Sequence, residues 1–177
     1  LTMRLLAEEQ KLGTLELLMT SPVRDYEIVL GKYIASIVIL ISTLALTLYY
    51  TLLLFWFGNP DIGPLLTGYL GVMLYGSATL AIGLLASSLT SNQIVAAVVA
   101  FGILLILTLL EQAADVTSGQ VAVVLEHLSL TGHFQDFARG IIDTKNVVYY
   151  VSCIVLFLFL ATRNLESVSY THLTLPT

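Results

Sequence analysis

Charged residues make up 11% of this 177-residue chain and hydrophobic residues 57%, whereas soluble domains average about 25% charged residues. This composition excludes an ordinary soluble domain. The net charge of −5 indicates little, because in a membrane protein the distribution of charge matters more than its sum. The chain begins with Leu1 rather than Met and has no signal-peptide pattern, so we expect a fragment whose beginning is missing.

The first 32 residues combine charged positions with two short helical patterns. Gly13 interrupts the charged stretch, and a short apolar helix carrying Glu16 is predicted at residues 14–19. Ser21 and Pro22 favour the start of a second helix, because serine is a good N-cap and proline suits the first helical position. We predict two short helices at a sharp angle, the second leading along the membrane surface to a span that starts at Tyr33.

A run of 49 residues between Asp61 and Glu111 contains no Asp, Glu, Lys, Arg or His. A bilayer core takes roughly 20 apolar residues per helix, so this run predicts two spans joined by the polar, uncharged turn at 87–92. Similar charge-free stretches precede and follow it. The sequence therefore predicts an all-α fold, a polytopic transmembrane helical bundle with spans at about 33–56, 65–86, 93–110 and 147–162.

The predicted outer loop, residues 111–146, contains an apolar stripe with helical spacing. The stripe consists of Phe134, Phe137, Ala138, Ile141 and Ile142. Three positions remain open for such a helix. It would cover the top of the bundle, lie in the outer headgroup region or pack back between the spans. His127 and His133 have no Cys or carboxylate at metal-ligand spacing near them, so surface positions are expected for both.

The last ten residues, 168–177, differ abruptly from what precedes them and have no helical pattern. They resemble the translation of a sequencing adapter, so we expect a non-native tail that the natural protein lacks.

Four spans place both ends of the chain on one side of the membrane. Five Lys and Arg residues lie on that side and two on the other, so the positive-inside rule predicts a cytoplasmic N-terminal segment. The five are Arg4, Lys11, Arg24, Lys32 and Arg163, and the two are Arg139 and Lys145.

The predicted spans contain no ionisable Asp, Glu, Lys, Arg or His, so they offer no obvious means of using an ion gradient. Their hydroxyl groups are expected to bond backbone carbonyls one turn back. Energy for transport would then come from outside the bilayer.

Helix packing is expected at small residues, which let helices approach closely. These residues are Gly76, Ser77, Ala81, Gly83, Ala96 and Ala100.

The segment from Glu8-Glu9 through Gly13 to Pro22, followed by Gly31-Lys32, resembles the coupling-helix region of ABC-2 type transporter permease subunits. Within that family it resembles the gliding-motility and copper-processing permease subunits. Residues 128–143 and 147–150 resemble the outer-loop and last-span pattern of the same family. The likeness covers nearly all of residues 1–166.

This resemblance implies a permease subunit of an ATP-binding cassette exporter. Residues 1–32 would be a cytoplasmic coupling-helix segment with an amphipathic coupling helix, and residues 33–166 the transmembrane permease domain. Six spans would then be expected in the complete chain, two of them before Leu1. The implied partner-binding residues are Glu8, Glu9, Gly13, Thr14, Glu16, Leu17, Leu18, Thr20, Ser21 and Pro22.

The implied partners are an ABC ATP-binding subunit carrying ATP and Mg, a second permease copy in a homo- or heterodimer, and membrane lipid. Some relatives also use an accessory periplasmic subunit. The implied location is the inner membrane of a bacterium. We expect no catalytic residue, cofactor, metal or nucleic acid on this chain. ATP hydrolysis is expected on the partner, since Tyr26 replaces the first glycine that a P-loop before Gly31-Lys32 would need.

Two other classes remain open. The Glu8-Glu9 pair is also similar to the paired glutamates of membrane-embedded CAAX-type proteases. However, Gly13 stands where they have arginine, and a zinc site with three protein ligands cannot be assembled from the later spans. A non-transporting membrane scaffold is the other alternative. Co-purification with an ATP-binding subunit would separate both from the permease.

Overall fold

The computed structural model describes residues 2, 5–7 and 24–174, leaving aside the side chains of residues 25 and 168–174. These described residues form six α-helices and no β-strand. In chain order they are α1 (Asp25–Phe57), α2 (Ile62–Ser88), α3 (Gln93–Val116), α4 (Gln120–Leu128), α5 (Leu130–Ala138) and α6 (Thr144–Thr174). The predicted all-α fold is confirmed.

Within the described part of the chain, four helices are long and apolar enough to cross a membrane. They are Tyr26–Phe57, Ile62–Ser88, Gln93–Val116 and Thr144–Ser167. Each of the four predicted spans lies inside one of these helices. An α-helix satisfies its own backbone hydrogen bonds, which is why apolar segments of this length cross lipid as helices. The chain is a multi-pass membrane protein.

The first helix is longer than the sequence pattern indicated. Where a separate surface helix ending at Lys32 was predicted before the span, α1 continues without a break for 33 residues. At 1.5 Å per residue α1 is about 50 Å long, which exceeds a hydrocarbon core of about 30 Å. Gly31 lies inside α1 without interrupting it, since one glycine costs a helix only about 1 kcal/mol relative to alanine.

The helix predicted in the outer loop is present as α5, but it ends earlier than the apolar stripe indicated. Gly140 adopts a φ of +89°, and the backbone N–H of Ile141 donates to the carbonyl of Asp136 at 2.9 Å. The N–H of Gly140 donates to the carbonyl of Phe137 at 3.2 Å, which completes a Schellman motif. Ile141 and Ile142 therefore lie outside the helix and are exposed.

The end of the described chain also differs from the sequence pattern. The backbone of α6 remains helical through residues 168–174, although the sequence of this segment has no helical pattern. No Gly or Pro lies within α6, so neither of the two strongest helix breakers interrupts it. The proposed non-native origin of this tail is a separate matter and stays a prediction.

The chain divides into two compact units. Unit 1 takes its described residues from Leu1–Ile37, Thr79–Gly102 and Cys153–Thr177, and unit 2 consists of Val38–Ala78 and Ile103–Ser152. Unit 1 has an apolar core of buried side chains from Leu6, Val29, Leu84, Leu85, Ala161 and Leu165. In unit 2 the largest fully buried side chains are Phe137 and Tyr150.

Candidate functional site

The predicted partner-binding residues, from Glu8 to Pro22, lie outside the described residues, so their role stays a prediction. The structure does describe the chain immediately before them, at residues 5–7, and immediately after them, from Arg24 onward. Both flanks belong to unit 1. The contacts of these two flanks show how the chain is held on either side of the predicted site.

The chain before the predicted site is held by Ser87, near the end of α2. The backbone N–H groups of Leu6 and Ala7 donate to the Ser87 hydroxyl oxygen, at 3.1 Å and 3.0 Å. All three residues are fully buried. A serine oxygen has two acceptor lone pairs, so it can satisfy both donors at once.

The chain after the predicted site enters α1 through a local cap. The backbone N–H of Arg24 donates to the Glu27 carboxylate at 3.1 Å, which is the N3 half of a capping box. The Arg24 guanidinium donates to the Tyr26 hydroxyl at 3.4 Å. That hydrogen bond, with charge interactions from Tyr26 and Glu27, raises the pKa of Arg24 above its ordinary value. Arg24 therefore stays cationic at any physiological pH.

Ser88, the neighbour of Ser87, joins α2 to the last helix. The Asn164 side-chain amide in α6 donates to the Ser88 carbonyl at 2.6 Å and lies 3.4 Å from its hydroxyl. The last carbonyls of a helix have no partner within it, so this amide satisfies one of them. The end of α2 is thereby bonded to the start of the described chain and to α6.

Four of the small residues predicted to pack helices belong to unit 1. Ala81 and Ala96 are fully buried, and Ala100 is half-buried. Gly83 lies directly against Thr2: a Cβ at Gly83 would overlap the Thr2 hydroxyl and come within 3.0 Å of its Cβ. The general role of these residues in helix packing stays a prediction.

The other two small residues, Gly76 and Ser77, belong to unit 2. A Cβ at Gly76 would lie 2.9 Å from Cδ2 of Leu40 in α1, so α1 and α2 approach closely there. Ser77 is buried, and its hydroxyl donates to the carbonyl of Met73 at 2.6 Å, one turn back in α2. Ser42, Thr43 and Thr108 make the same backbone bond within their helices, as expected.

Thr47 departs from that expectation, because its hydroxyl also takes part in a contact between helices. The Tyr69 hydroxyl in α2 lies 3.1 Å from the Thr47 hydroxyl and 3.0 Å from the Thr51 hydroxyl, both in α1. Thr47 and Thr51 are one turn apart, so they share a face of α1. This hydroxyl cluster links two membrane-crossing helices within unit 2.

In unit 2, α5 packs against α2. Phe137 is fully buried against Gly71, whose Cβ, if present, would lie 2.6 Å from that of Phe137. The Thr67 hydroxyl, one turn before Gly71, donates to the Phe137 carbonyl at 2.8 Å. The Tyr150 hydroxyl donates to the Leu130 carbonyl at 2.7 Å. The contacts to α2 fit the option in which the outer-loop helix packs back against the spans.

A cavity of about 400 Å³ lies in unit 2. It is lined by Glu126, His127, Gly132, His133, Asp136, Asp143, Lys145, Asn146 and Tyr149. The expectation of a surface position holds for His127, which is exposed. His133 is only half-exposed, because its ring stacks on Tyr149 with centroids 3.9 Å apart. The lining offers hydrogen-bonding groups, and the described residues include no group of three or more His, Cys, Asp or Glu arranged for a metal ion.

Four helices long and apolar enough to span a bilayer define a polytopic helical membrane protein. Over residues 1–170 the chain matches the family model described as "ABC-2 family transporter protein". The chain belongs to this family.

Two curated relatives share 31% identity with this chain over 87 residues. Both are named "Probable multidrug ABC transporter permease YbhR", from Escherichia coli strain K12 and from Escherichia coli O157:H7. The matched region covers 49% of this chain and 23% of each relative, so the chain spans well under half of their length. The comparison with solved structures found no significant match.

Proposed function

We propose that this chain is the permease subunit of an ATP-binding cassette exporter of the ABC-2 type. A separate ATP-binding subunit would bind ATP and Mg and supply the work of transport. The coupling segment, defined here as residues 8–22, would receive that work. Membership of the ABC-2 transporter family supports this proposal, as do four long helices whose central stretches carry no Asp, Glu, Lys, Arg or His.

The observation that carries the proposal is the attachment of the coupling segment at both of its ends. Leu6, before the segment, and Val29, after it, are fully buried in the same apolar cluster of unit 1. Closely packed interiors transmit displacement rather than absorb it. A force on residues 8–22 would therefore reach this cluster and the helices that form it, namely α1, α2 and α6.

We place the start of α1 and the end of α6 on the cytoplasmic side of a bacterial inner membrane. Arg24 and Lys32 lie at the start of α1 and Arg163 toward the end of α6, which agrees with the positive-inside rule. This orientation puts the coupling segment where a cytoplasmic ATP-binding subunit can reach it.

We further propose a second permease copy, in a homo- or heterodimer. In α1, no residue of the most apolar stretch is buried among the described residues, so lipid or another copy must cover it. Because the relatives are named multidrug permeases, small amphipathic compounds are the first cargo to test.

The test is co-purification of the full-length natural protein with its ATP-binding subunit after detergent extraction. Glu16→Lys reverses a charge in the coupling segment and should reduce the retained ATP-binding subunit at least tenfold, with normal membrane insertion. Glu126→Lys is the matched control, since it makes the same charge change at an exposed position in α4. This control should retain the wild-type amount.

Two outcomes would contradict the proposal at different levels. A wild-type protein that retains no ATP-binding subunit, and does not stimulate its ATPase activity, would exclude the permease function. Equal retention by Glu16→Lys and Glu126→Lys would exclude the assigned docking position while leaving the function standing.

A further inference from the structure

We propose that Ser87 is a positioning residue, through which movement of the coupling segment is passed to α2 and α6. This inference rests on the proposed function, because it assumes that residues 8–22 receive the work of the ATP-binding subunit. It adds a specific bonded connection between that segment and the membrane-crossing helices.

The first argument is the geometry at Ser87. Its oxygen accepts from the N–H groups of Leu6 and Ala7, two consecutive residues about 80 positions earlier in the chain. Ala7 is joined directly to Glu8, the first residue of the coupling segment. Backbone donors this deeply buried are costly to leave unpaired, so the two bonds hold the chain firmly where the segment begins.

The second argument is the face of α2 on which Ser87 lies. Gly83 is four residues earlier and therefore on the same face of the helix. A side chain at Gly83 would overlap the Thr2 hydroxyl, so α2 has room for the start of the chain only because position 83 is glycine. Positions 83 and 87 thus contact the same N-terminal stretch, one by close approach and the other by hydrogen bonding.

The third argument is the connection beyond Ser87. The carbonyl of its neighbour Ser88 accepts from the Asn164 amide of α6. Leu6 also packs in the cluster that contains Leu84 of α2 and Leu165 of α6. A displacement of residues 6 and 7 would therefore act on two membrane-crossing helices together.

Other serines in these helices bond differently. The Ser36 hydroxyl donates to the Tyr33 carbonyl and the Ser77 hydroxyl to the Met73 carbonyl, each within its own helix. Ser77 is also buried and lies in α2. Ser77→Ala is therefore the matched control for Ser87→Ala: both remove a buried α2 hydroxyl, and only the second removes the acceptor for Leu6 and Ala7.

The direct test is amide hydrogen exchange of the full-length complex in lipid nanodiscs. In Ser87→Ala, exchange at the Leu6 and Ala7 amides should be at least about fivefold faster, as expected for loss of one net hydrogen bond each. Ser77→Ala should leave both rates unchanged. Gly83→Ala should also accelerate them by displacing Thr2. Its control is Gly102→Ala, where the added Cβ meets no described heavy atom within 4 Å.

A second readout separates positioning from a purely structural role. A spin label at Leu66→Cys, an exposed α2 position, in a Cys153→Ala background reports the distance between the two permease copies with and without ATP. Ser87→Ala should retain the ATP-binding subunit and its ATP hydrolysis but lose most of the ATP-dependent distance change. Ser87→Thr keeps the acceptor oxygen and should restore the change.

The outcomes distinguish the two proposals. Unchanged exchange at Leu6 and Ala7 in Ser87→Ala would overturn the inference, even with the ATP-binding subunit bound. Faster exchange with an unaltered distance change would overturn it as well, by showing that the bonds carry no movement. If Ser87→Ala lost both ATP hydrolysis and the distance change, the role of Ser87 would be purely structural, and the inference would be overturned. A wild-type protein that binds no ATP-binding subunit would instead contradict the proposed function.

Discussion

A methyl group added at Gly71 would have no room between α2 and α5. Built on this glycine, a Cβ would lie 2.6 Å from Phe137 Cβ, 2.9 Å from Phe137 Cγ and 3.2 Å from Phe134 Cε2. The first of these atoms is bonded to the α5 backbone, so rotating a side chain cannot move it aside. We predict that Gly71→Ala pushes α5 away from α2 and destabilises unit 2.

The expected size follows from these distances. Carbon atoms pack at about 3.5 to 4.0 Å, so α5 must withdraw by about 1 Å. The same shift would stretch the 2.8 Å bond from Thr67 to the Phe137 carbonyl beyond hydrogen-bonding distance. Overpacking costs about 1 to 3 kcal/mol, and a hydrogen bond between membrane helices averages about 0.6 kcal/mol. The sum is about 1.5 to 3.5 kcal/mol.

Gly68→Ala is the matched control for this prediction. Gly68 lies one turn earlier in α2, and a Cβ there meets no heavy atom of the described residues within 4 Å. Both substitutions gain the same intrinsic helix propensity, so their difference isolates the overlap with Phe137. The assay is reversible unfolding of the full-length protein in mixed micelles, with the free energy of unfolding measured for both variants. Equal free energies of unfolding would refute the close packing of α5 on α2.

Three further substitutions test other contacts by the same unfolding assay. Tyr69→Phe should lower the free energy of unfolding by about 1 kcal/mol through loss of the hydroxyl cluster; the exposed Tyr50→Phe is its control, and equal values would count against the cluster. Gly140→Ala should cost about 1 to 2 kcal/mol, because its φ is +89° and an added Cβ would lie 3.2 Å from Pro64 Cγ; an unchanged free energy of unfolding would contradict this. Gly76→Leu should cost about 1 to 3 kcal/mol by overpacking. Gly76→Ala should be tolerated, because only the flexible end of Leu40 must move, and a tolerated leucine would refute the close approach.

The membrane-crossing helices were predictable because lipid imposes a simple rule on sequence. A charged side chain in a bilayer core is costly, so the charge-free run between Asp61 and Glu111 had to be membrane-embedded. The length of this run requires two crossings, and the polar residues 87–92 predict the turn between them. The structure separates α2 and α3 in that region, with α2 ending at Ser88 and α3 beginning at Gln93.

The end of α5 is predictable from the sequence, but from a glycine rather than from the apolar spacing. The apolar spacing continues through Ile141 and Ile142, so periodicity alone extends the helix too far. Gly140 was the informative residue, since glycine just after a helix favours the left-handed conformation that ends it. Reading that glycine as a stop would have placed the boundary at Ala138.

The bonding at Ser87 could not have been predicted from the sequence. The sequence places Ser77 within a predicted span and Ser87 at the start of the predicted polar turn, and neither position indicates a bond to a distant segment. Their difference comes from Leu6 and Ala7, whose approach to Ser87 depends on how distant segments pack. The sequence does not indicate the cavity containing His133 and Tyr149 for the same reason, since its lining comes from three helices, α4, α5 and α6, and from the loop residue Asp143.

The most direct test of the central claim is the side of the membrane on which the coupling segment is accessible. Thr14→Cys in a Cys153→Ala background gives one reactive site within residues 8–22, and Ser118→Cys gives a control in the loop between α3 and α4. A membrane-impermeant maleimide should label Thr14→Cys in inverted vesicles only, less when the ATP-binding subunit is co-expressed, and Ser118→Cys in intact spheroplasts only. Labelling of Thr14→Cys from outside intact spheroplasts would contradict the account, because no cytoplasmic ATP-binding subunit could then reach the coupling segment.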